Sequence, residues 1–449
     1  MTTAEPENSP WGTANRIPPI GLAFVAANLE KAGYKVTLLD NYLLNKTAEE
    51  LKNELKNLNP EIVGVSCSSN TYKRAIETAK AVKEALPNCK LVTGGPHPSV
   101  MPESMLEYSE VDYVVMGEGE RAMVELADHI TTGKKDSELA NIPGIAYKKN
   151  GQVAINPPKF IENLDEVPYP ARHLLPMDRY TREAYFLDYK PVDVMNVMRG
   201  CPFNCNWCNV KEIWGAKSRS FSPKRVADEM EHINSTYGTK GVYFVGDNFT
   251  LNKNRAIEIC KEIQSRNLDM VWACDTGVDI VSRDVLKAMK DAGCQTIWFG
   301  VESGSPHILE KINRGITVEQ ATHAFKLCKE ENIQTGISLM LGIPGETRKD
   351  METTFKFARK LDPDYHQFNV FIAYPGCKLY KEILENKQYD RIEDFLAYVK
   401  TDEFNYECLM EVQKQFHINF NKSPKRILGK IKREGFWNVM QKGIKYAKS

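Results

Sequence analysis

Three cysteines fall within eight residues, Cys201-Pro202-Phe203-Asn204-Cys205-Asn206-Trp207-Cys208, in the spacing C-x3-C-x2-C. The next cysteine is Cys260, beyond a long helical stretch, so no fourth thiol nearby completes the set. Cysteine thiolates hold iron–sulfur clusters, and a cubane cluster has four irons to ligate. A loop with three thiolates leaves one iron without a protein ligand, and an open coordination position is where a small molecule binds. A structural zinc site wants four ligands, usually as two separated pairs. No partner pair and no close histidine is present here. A ferredoxin-type carrier has a denser motif with a closing cysteine.

Such a loop needs a scaffold, and the chain supplies a regular one. From Val192 onward strand and helix signals alternate about six times. Strands are expected at Asp193 to Met198, Gly241 to Val245, Met270 to Ala273, Thr296 to Val301, Thr335 to Leu341 and Gln367 to Ala373. The helices between them start at Pro223, Asn252, Arg283, Pro306/Thr317 and Lys349. Residues 17 to 130 alternate in the same way, which implies a separate parallel α/β unit. Its expected elements are a helix from Ile20 to Gly33, a strand from Tyr34 to Asp40, a helix from Ala48 to Leu58, and a strand from Glu61 to Cys67. A helix from Thr71 to Leu86 and strands at Lys90 to Thr93 and Asp112 to Met116 follow. Ligands of open α/β sheets bind beyond the carboxyl ends of the strands. Ser66 to Asn70, Gly94 to His97 and Gly117 to Glu120 all lie at such ends. Residues 131–190 are a proline-punctuated connector, with a hairpin turning at Asn150-Gly151. Its aromatic stretch from Tyr180 to Tyr189 suits either a substrate pocket or interdomain packing.

At 449 residues, with roughly 100–200 residues per domain as the usual range, two or three domains are expected. The assignment is 1–130, a connector 131–190, a barrel 191–385 and a helical C-terminal extension 386–449. Lys plus Arg and Asp plus Glu both number 59, so nothing in the overall charge points to nucleic acid. The first sixteen residues are polar and lack the apolar segment of a signal peptide. No run approaches the ~18 apolar residues of a membrane span. Eleven mostly solitary cysteines indicate a reducing compartment, the cytoplasm by default.

The cysteine spacing, with an aromatic before the last cysteine, closely resembles the radical SAM signature. The segments PPIGLAFVAANLEKAGYKVTLLD, VGVSCSSN, GGPHPSVMPE and DYVVMGEGE resemble the cobalamin-binding domain upstream of many radical SAM cores. LDEVPYPARHLLP resembles the linker between the two. The resemblance implies a flavodoxin-like (Rossmann-type) domain followed by a partial (β/α)6 barrel. It implies a [4Fe-4S] cluster on Cys201, Cys205 and Cys208, S-adenosylmethionine (SAM) on the fourth iron, and cobalamin.

For SAM, the resemblance assigns Gly246, Asp247 and Asn248 to the amino group, Glu302 and Ser303 to the ribose, and Ser338, Gly342 and Tyr374 to the adenosyl group. Trp207 would pack on adenine or in the core. For cobalamin, it assigns Ser66, Ser68, Gly94, Gly95, Pro96, His97, Gly117 and Glu118. Two departures stand out. The Asp-x-His-x-x-Gly segment that places a histidine on cobalt elsewhere is absent, as it generally is in this group. The family's first apolar strand is also absent, because only MTTAEPENSPWGTANR precedes Ile17. Either the sheet is incomplete or the true start lies upstream, the second being the expectation.

The activity implied is methylation of an unactivated carbon in a small-molecule or natural-product substrate. SAM cleavage makes an adenosyl radical, cobalamin carries the methyl group, and an external flavodoxin- or ferredoxin-type protein supplies electrons. The alternatives are a cyclisation or oxidative rearrangement on the same cofactors, as in the anaerobic chlorophyll-type cyclases, and a non-catalytic iron–sulfur or cobalamin carrier. No residue pattern names the substrate. Residues 422–449 carry many Lys and Arg with apolar residues at helical spacing. That pattern fits a helix docked on the barrel or a peripheral membrane contact.

Overall fold

The computed structural model describes residues 1–2, 17–246, 248–422 and Arg426. The first unit is a five-stranded sheet of β1 (Ile62–Ser66), β2 (Lys90–Gly94), β3 (Tyr113–Val115), β4 (Ile145–Lys149) and β5 (Gln152–Ile155), in that spatial order. The first three strands are parallel, and β4 and β5 form an antiparallel hairpin on β3. That hairpin therefore extends the first sheet past residue 131, where the connector was expected to begin. Helices Ala48–Leu58 and Tyr72–Ala85 cover one face through Leu51, Leu55, Ala75 and Val82. Helices Ile20–Lys31 and Gly119–Thr132 cover the other through Val25, Leu29, Met123 and Leu126. Parallel strands buried on both faces explain the apolar run Ile62-Val63-Gly64-Val65.

One expected strand fails. Tyr34 to Asp40 forms no ladder, although its alternation is strand-like. A strand exists only where a neighbour pairs with it, and here the bonded neighbour is Thr2, whose N–H donates to the Leu39 carbonyl at 3.0 Å. The Met1 carbonyl in turn accepts from Ser66 at 2.9 Å, and its amino group donates to the Gly64 carbonyl. Met1 and Thr2 thus lie between that segment and β1.

The second unit begins with β6 (Val192–Asn196), then a short ribbon of β7 (Met198–Arg199) and β8 (Arg219–Ser220). It continues with β9 (Gly241–Val245), β10 (Val271–Thr276), β11 (Cys294–Glu302), β12 (Gln334–Leu341) and β13 (Tyr365–Val370). The six long strands are all parallel, in the order β13-β12-β11-β10-β9-β6. This is the expected partial barrel. Local sequence starts its helices: Ser222 and Asn252 accept from Arg225 and Arg255, and Thr317 and Thr347 form capping boxes with Gln320 and Asp350. Because side chains alternate across a strand, Val242, Phe244, Ile297, Phe299, Ile337 and Leu339 join the helix-covered core. Tyr243, Asp275, Trp298, Ser338 and Gln367 fall on the opposite, concave face.

The C-terminal region is not only helical, as had been expected. β14 (Ile372–Ala373), β15 (Tyr389–Glu393) and β16 (Leu396–Val399) make a small antiparallel sheet, ordered β14-β16-β15. Helix Tyr406–Asn421 then lies along β13, with Gln413 Nε2 donating to the Phe368 carbonyl at 2.6 Å. It covers an edge strand that would otherwise stay open. Nearly all of the basic tail from Lys422 to Ser449 lies outside the described residues.

Candidate active site

The three cysteines sit in an irregular loop just beyond β6 and β7, at the carboxyl end of the barrel, where such folds place their chemistry. The loop is pinned by backbone. Asn206 N–H donates to the Ile312 carbonyl at 3.0 Å, and the Asn206 carbonyl accepts from Leu379 at 2.8 Å. Cys201 N–H closes the loop's base on the Gly215 carbonyl at 3.2 Å. Cys201 is buried, while Cys205 and Cys208 are half-buried, and none of the three is joined in a disulfide. Burial pushes the Cys205 thiol up, and the Arg314 guanidinium opposes that shift by favouring the thiolate. Among the described residues no three Cys, His, Asp or Glu side chains are already gathered about a metal position. What the loop offers is a soft donor set of three thiols without a fourth protein ligand, which fits an iron–sulfur cluster with one open iron.

The residues expected around SAM divide into two groups. Asn248 turns its Nδ2 toward the Cys201 sulfur at 3.8 Å and has φ +70°. Glu302 is buried at a β-bulge with φ +71°, and burial raises its carboxyl to about 7. Arg314 donates to the Gly300 carbonyl at 2.7 Å beside it. Ser338 is half-buried on the concave face of β12.

Ser303 instead faces inward, fully buried and bonded to Thr354 Oγ1 at 3.0 Å. The space that a Cβ on Gly342 would need is taken by Leu409 of the C-terminal helix, so that glycine serves helix docking. Gly246 lies against Met198. Trp207 packs against the apolar cluster that contains Ile312, Phe371 and Leu379, with its indole N–H buried and unpaired. Asp247 lies outside the described residues.

The first unit's strand ends divide in the same way. Ser66, Ser68, Gly94, Gly95 and Pro96 line one edge of the sheet, partly exposed or exposed. Gly95 has φ +105°, and a Cβ there would meet the Cys67 carbonyl at 2.7 Å, so glycine is required. His97 does not face that edge. It is fully buried, bonded to Ser69 Oγ at 2.9 Å and Ser104 Oγ at 3.0 Å, under Tyr72 and Phe395. Desolvation lowers it to about 4, so it is a neutral brace for its loop. Gly117 is tightly packed near Pro158 and Phe160, and Glu118 is buried in ion pairs with Arg199 and Arg219.

The carboxyl ends of the two sheets meet. Tyr374, after β14, hydrogen-bonds Asn70, after β1, at 3.3 Å. A Cβ on Gly376 would touch Val100 at 2.9 Å, and Asn209 Nδ2 donates to the Pro375 carbonyl at 3.1 Å. On the concave face, the connector residues Tyr185 and Phe186 pack on Trp298, with Tyr185 57% exposed and bonded to Gln367. Tyr243 donates to Asp275 Oδ2 at 2.5 Å. The aromatic stretch therefore reaches the barrel's interior face. Cys260, Cys274, Cys294 and Cys328 are buried in the helix–sheet core. Sequence reasoning placed Asn70 and Glu120 at strand ends without a role, and passed over Arg199, Arg219 and Arg314. Only the run Arg199-Gly200-Cys201, a cation beside the first thiol, could have flagged one of them.

Comparison with known proteins places two family models on the chain: "B12 binding domain" over residues 13–127 and "Radical SAM superfamily" over residues 195–358. An uncharacterized methyltransferase of Pyrococcus horikoshii is 37% identical over 92% of this chain and 90% of its own. The anaerobic magnesium-protoporphyrin IX monomethyl ester cyclase of Rubrivivax gelatinosus is 29% identical over 82% of this chain and 67% of its own. In fold, the chain is similar to the radical SAM methyltransferase TsrM of Kitasatospora setae, a structure with cobalamin and a [4Fe-4S] cluster bound. The TM-score is 0.69 and the identity 20%, over 84% of this chain and 73% of that one.

Proposed function

The chain belongs to the radical SAM enzymes that carry a B12-binding domain, and from that premise we propose that it methylates an unactivated carbon of a small molecule held on the barrel's concave face. Its cofactors are those of the family: a [4Fe-4S] cluster, SAM and cobalamin. When bound, they supply the electron that splits SAM and a transferable methyl group. The polypeptide contributes placement. Cys201, Cys205 and Cys208 hold the cluster, and Arg314 offsets the negative charge of the thiolates. Asn248, Glu302 and Ser338 border the SAM position, and Ser66, Ser68 and Gly94 to Pro96 border cobalamin. The Tyr243–Asp275 pair on the concave face receives the substrate. Electrons come from an external flavodoxin- or ferredoxin-type donor.

One observation carries this reading: the carboxyl ends of both sheets are opposed, touching at Tyr374–Asn70 and Gly376–Val100. A substrate radical formed beside one cofactor could take a methyl group carried by the other only if the two were held face to face. Ring closure without net methylation is a second reading, favoured by the likeness to the anaerobic cyclase. Anaerobic turnover with methyl-deuterated SAM and candidate substrates separates the two. A deuterated methyl group in the product supports methylation, and a product without it supports cyclisation.

A further inference from the structure

We propose that Glu118 and Glu120 of the B12-binding domain are positioning residues for the cluster loop of the barrel. The inference rests on Cys201–Cys208 being the cluster loop. Glu120 Oε1 pairs with Arg199 Nη2 at 2.6 Å, and Glu118 Oε1 pairs with Arg219 Nη1 at 2.6 Å. Glu118 also lies 3.3 Å from Arg199 Nη1, close enough for an ion pair though not aligned as a hydrogen bond. All four side chains are 5% exposed or less. The second Glu118 oxygen accepts from Ile161 N–H at 2.6 Å.

The two arginines cinch the base of the cluster loop from both sides. Arg199 stands one residue before Gly200 and Cys201, and its Nε donates to Asn196 Oδ1 at 3.1 Å, at the end of β6. Its guanidinium lies between the rings of Phe24, in the first unit, and Trp214, at the end of the helix after Cys208, 5.2 Å from each. Arg219 donates to the Trp214 carbonyl at 2.7 Å. Gly200 has φ +81°, and a Cβ on it would collide with the Lys217 carbonyl, so the two limbs of the loop touch there. The carboxylates of one domain thus fix where the other domain's loop begins and ends.

A buried cluster of two carboxylates and two guanidiniums is poor evidence for stability, because desolvation offsets most of the Coulomb attraction. Its geometry is better explained by register between the two units. A displacement of ~1 Å at a reacting centre can cost on the order of a hundredfold.

The test uses the full chain, reconstituted anaerobically with iron and sulfide and reduced, with SAM as the probe. Glu120→Gln removes the charge and keeps the shape. At native circular dichroism and full iron content, it is expected to alter the SAM-induced change in the cluster's electron paramagnetic resonance spectrum and to weaken SAM binding by about tenfold. Should Glu120→Gln fail to fold, Glu120→Asp is read by the same two signals. The exposed pair Arg121–Glu166, between the first unit and the connector, serves as control, and Arg121→Ala should move neither signal. A merely structural role predicts a lower melting temperature with the SAM-dependent spectrum and SAM affinity unchanged, and that result overturns the proposal. A wild-type chain that assembles no cluster overturns the proposed function, and this inference falls with it.

Discussion

The Tyr374 hydroxyl stands 3.3 Å from Asn70 Oδ1, joining the loop after the last barrel strands to the loop after β1. Both residues are at the crevice where the two units present their strand ends, so the bond belongs to the site more than to the core. Tyr374→Phe removes one exposed hydrogen bond, worth about 0.5–1.5 kcal/mol. The melting temperature should hold nearly constant while SAM affinity, measured by equilibrium dialysis, falls by up to about tenfold. A melting shift with unchanged affinity would show that the contact is only structural.

Arg172 lies in the connector, fully buried, and donates to Glu229 at 2.9 Å and to the Val194 carbonyl at 2.9 Å. Removing one partner of a buried pair strands the other charge. Glu229→Ala should therefore destabilise by roughly 3–5 kcal/mol, read as a lower urea midpoint at unchanged slope. A loss of under about 1 kcal/mol, the range of an exposed pair, would contradict this.

Burial raises the Glu346 carboxyl from 4.5 to about 8 and that of Glu302 from 4.5 to about 7. Between those limits the folded chain holds more protons than the unfolded one, so stability falls as pH rises. The cofactor-free protein should lose stability from about pH 4.5 toward pH 8 on this account, and Glu346→Gln should flatten the upper part of the slope. The substitution keeps an oxygen to accept from the Gly342 and Ile343 N–H groups, as Glu346 does now. His97 acts in the opposite sense. Its folded value is depressed from 6.5 to about 4, so its contribution is lost as pH falls through that window. Unfolding midpoints across the pH range, for wild type and Glu346→Gln, check the sign of the carboxyl contribution.

Gly200→Ala would place a methyl group against the Lys217 carbonyl at a backbone angle that favours glycine. The damage is local to the base of the cysteine loop. The variant should keep native far-ultraviolet circular dichroism and lose most of its bound iron after reconstitution. Full iron loading would show that the loop tolerates a different base.

Much of this architecture was legible in the sequence because its signals are local. The barrel strands, the helix starts near Pro223, Asn252, Thr317 and Lys349, and the cysteine loop each follow from residues within one or two turns. What was missed depends on partners distant in sequence. Tyr34 to Asp40 alternates like a strand, yet strand character needs a neighbour. The hairpin of β15 and β16 alternates too, but its turn at Asp394 and Phe395 carries positive φ at both positions without a glycine to announce it. His97 and Ser303 read as ligand residues because they sit at strand ends, where alternation alone does not say which side chain turns inward. Glu118 matched a motif, but its ion pairs became visible only once Arg199 and Arg219, about a hundred residues away, were placed against it in space.

The most direct measurement is the absorption and iron content of the anaerobically reconstituted chain, with and without its three thiols. The wild type should show a [4Fe-4S] spectrum and, once reduced, release 5′-deoxyadenosine from SAM. The triple variant Cys201→Ala, Cys205→Ala, Cys208→Ala should show neither. A wild type without the cubane spectrum, or a triple variant that still cleaves SAM, would contradict the account.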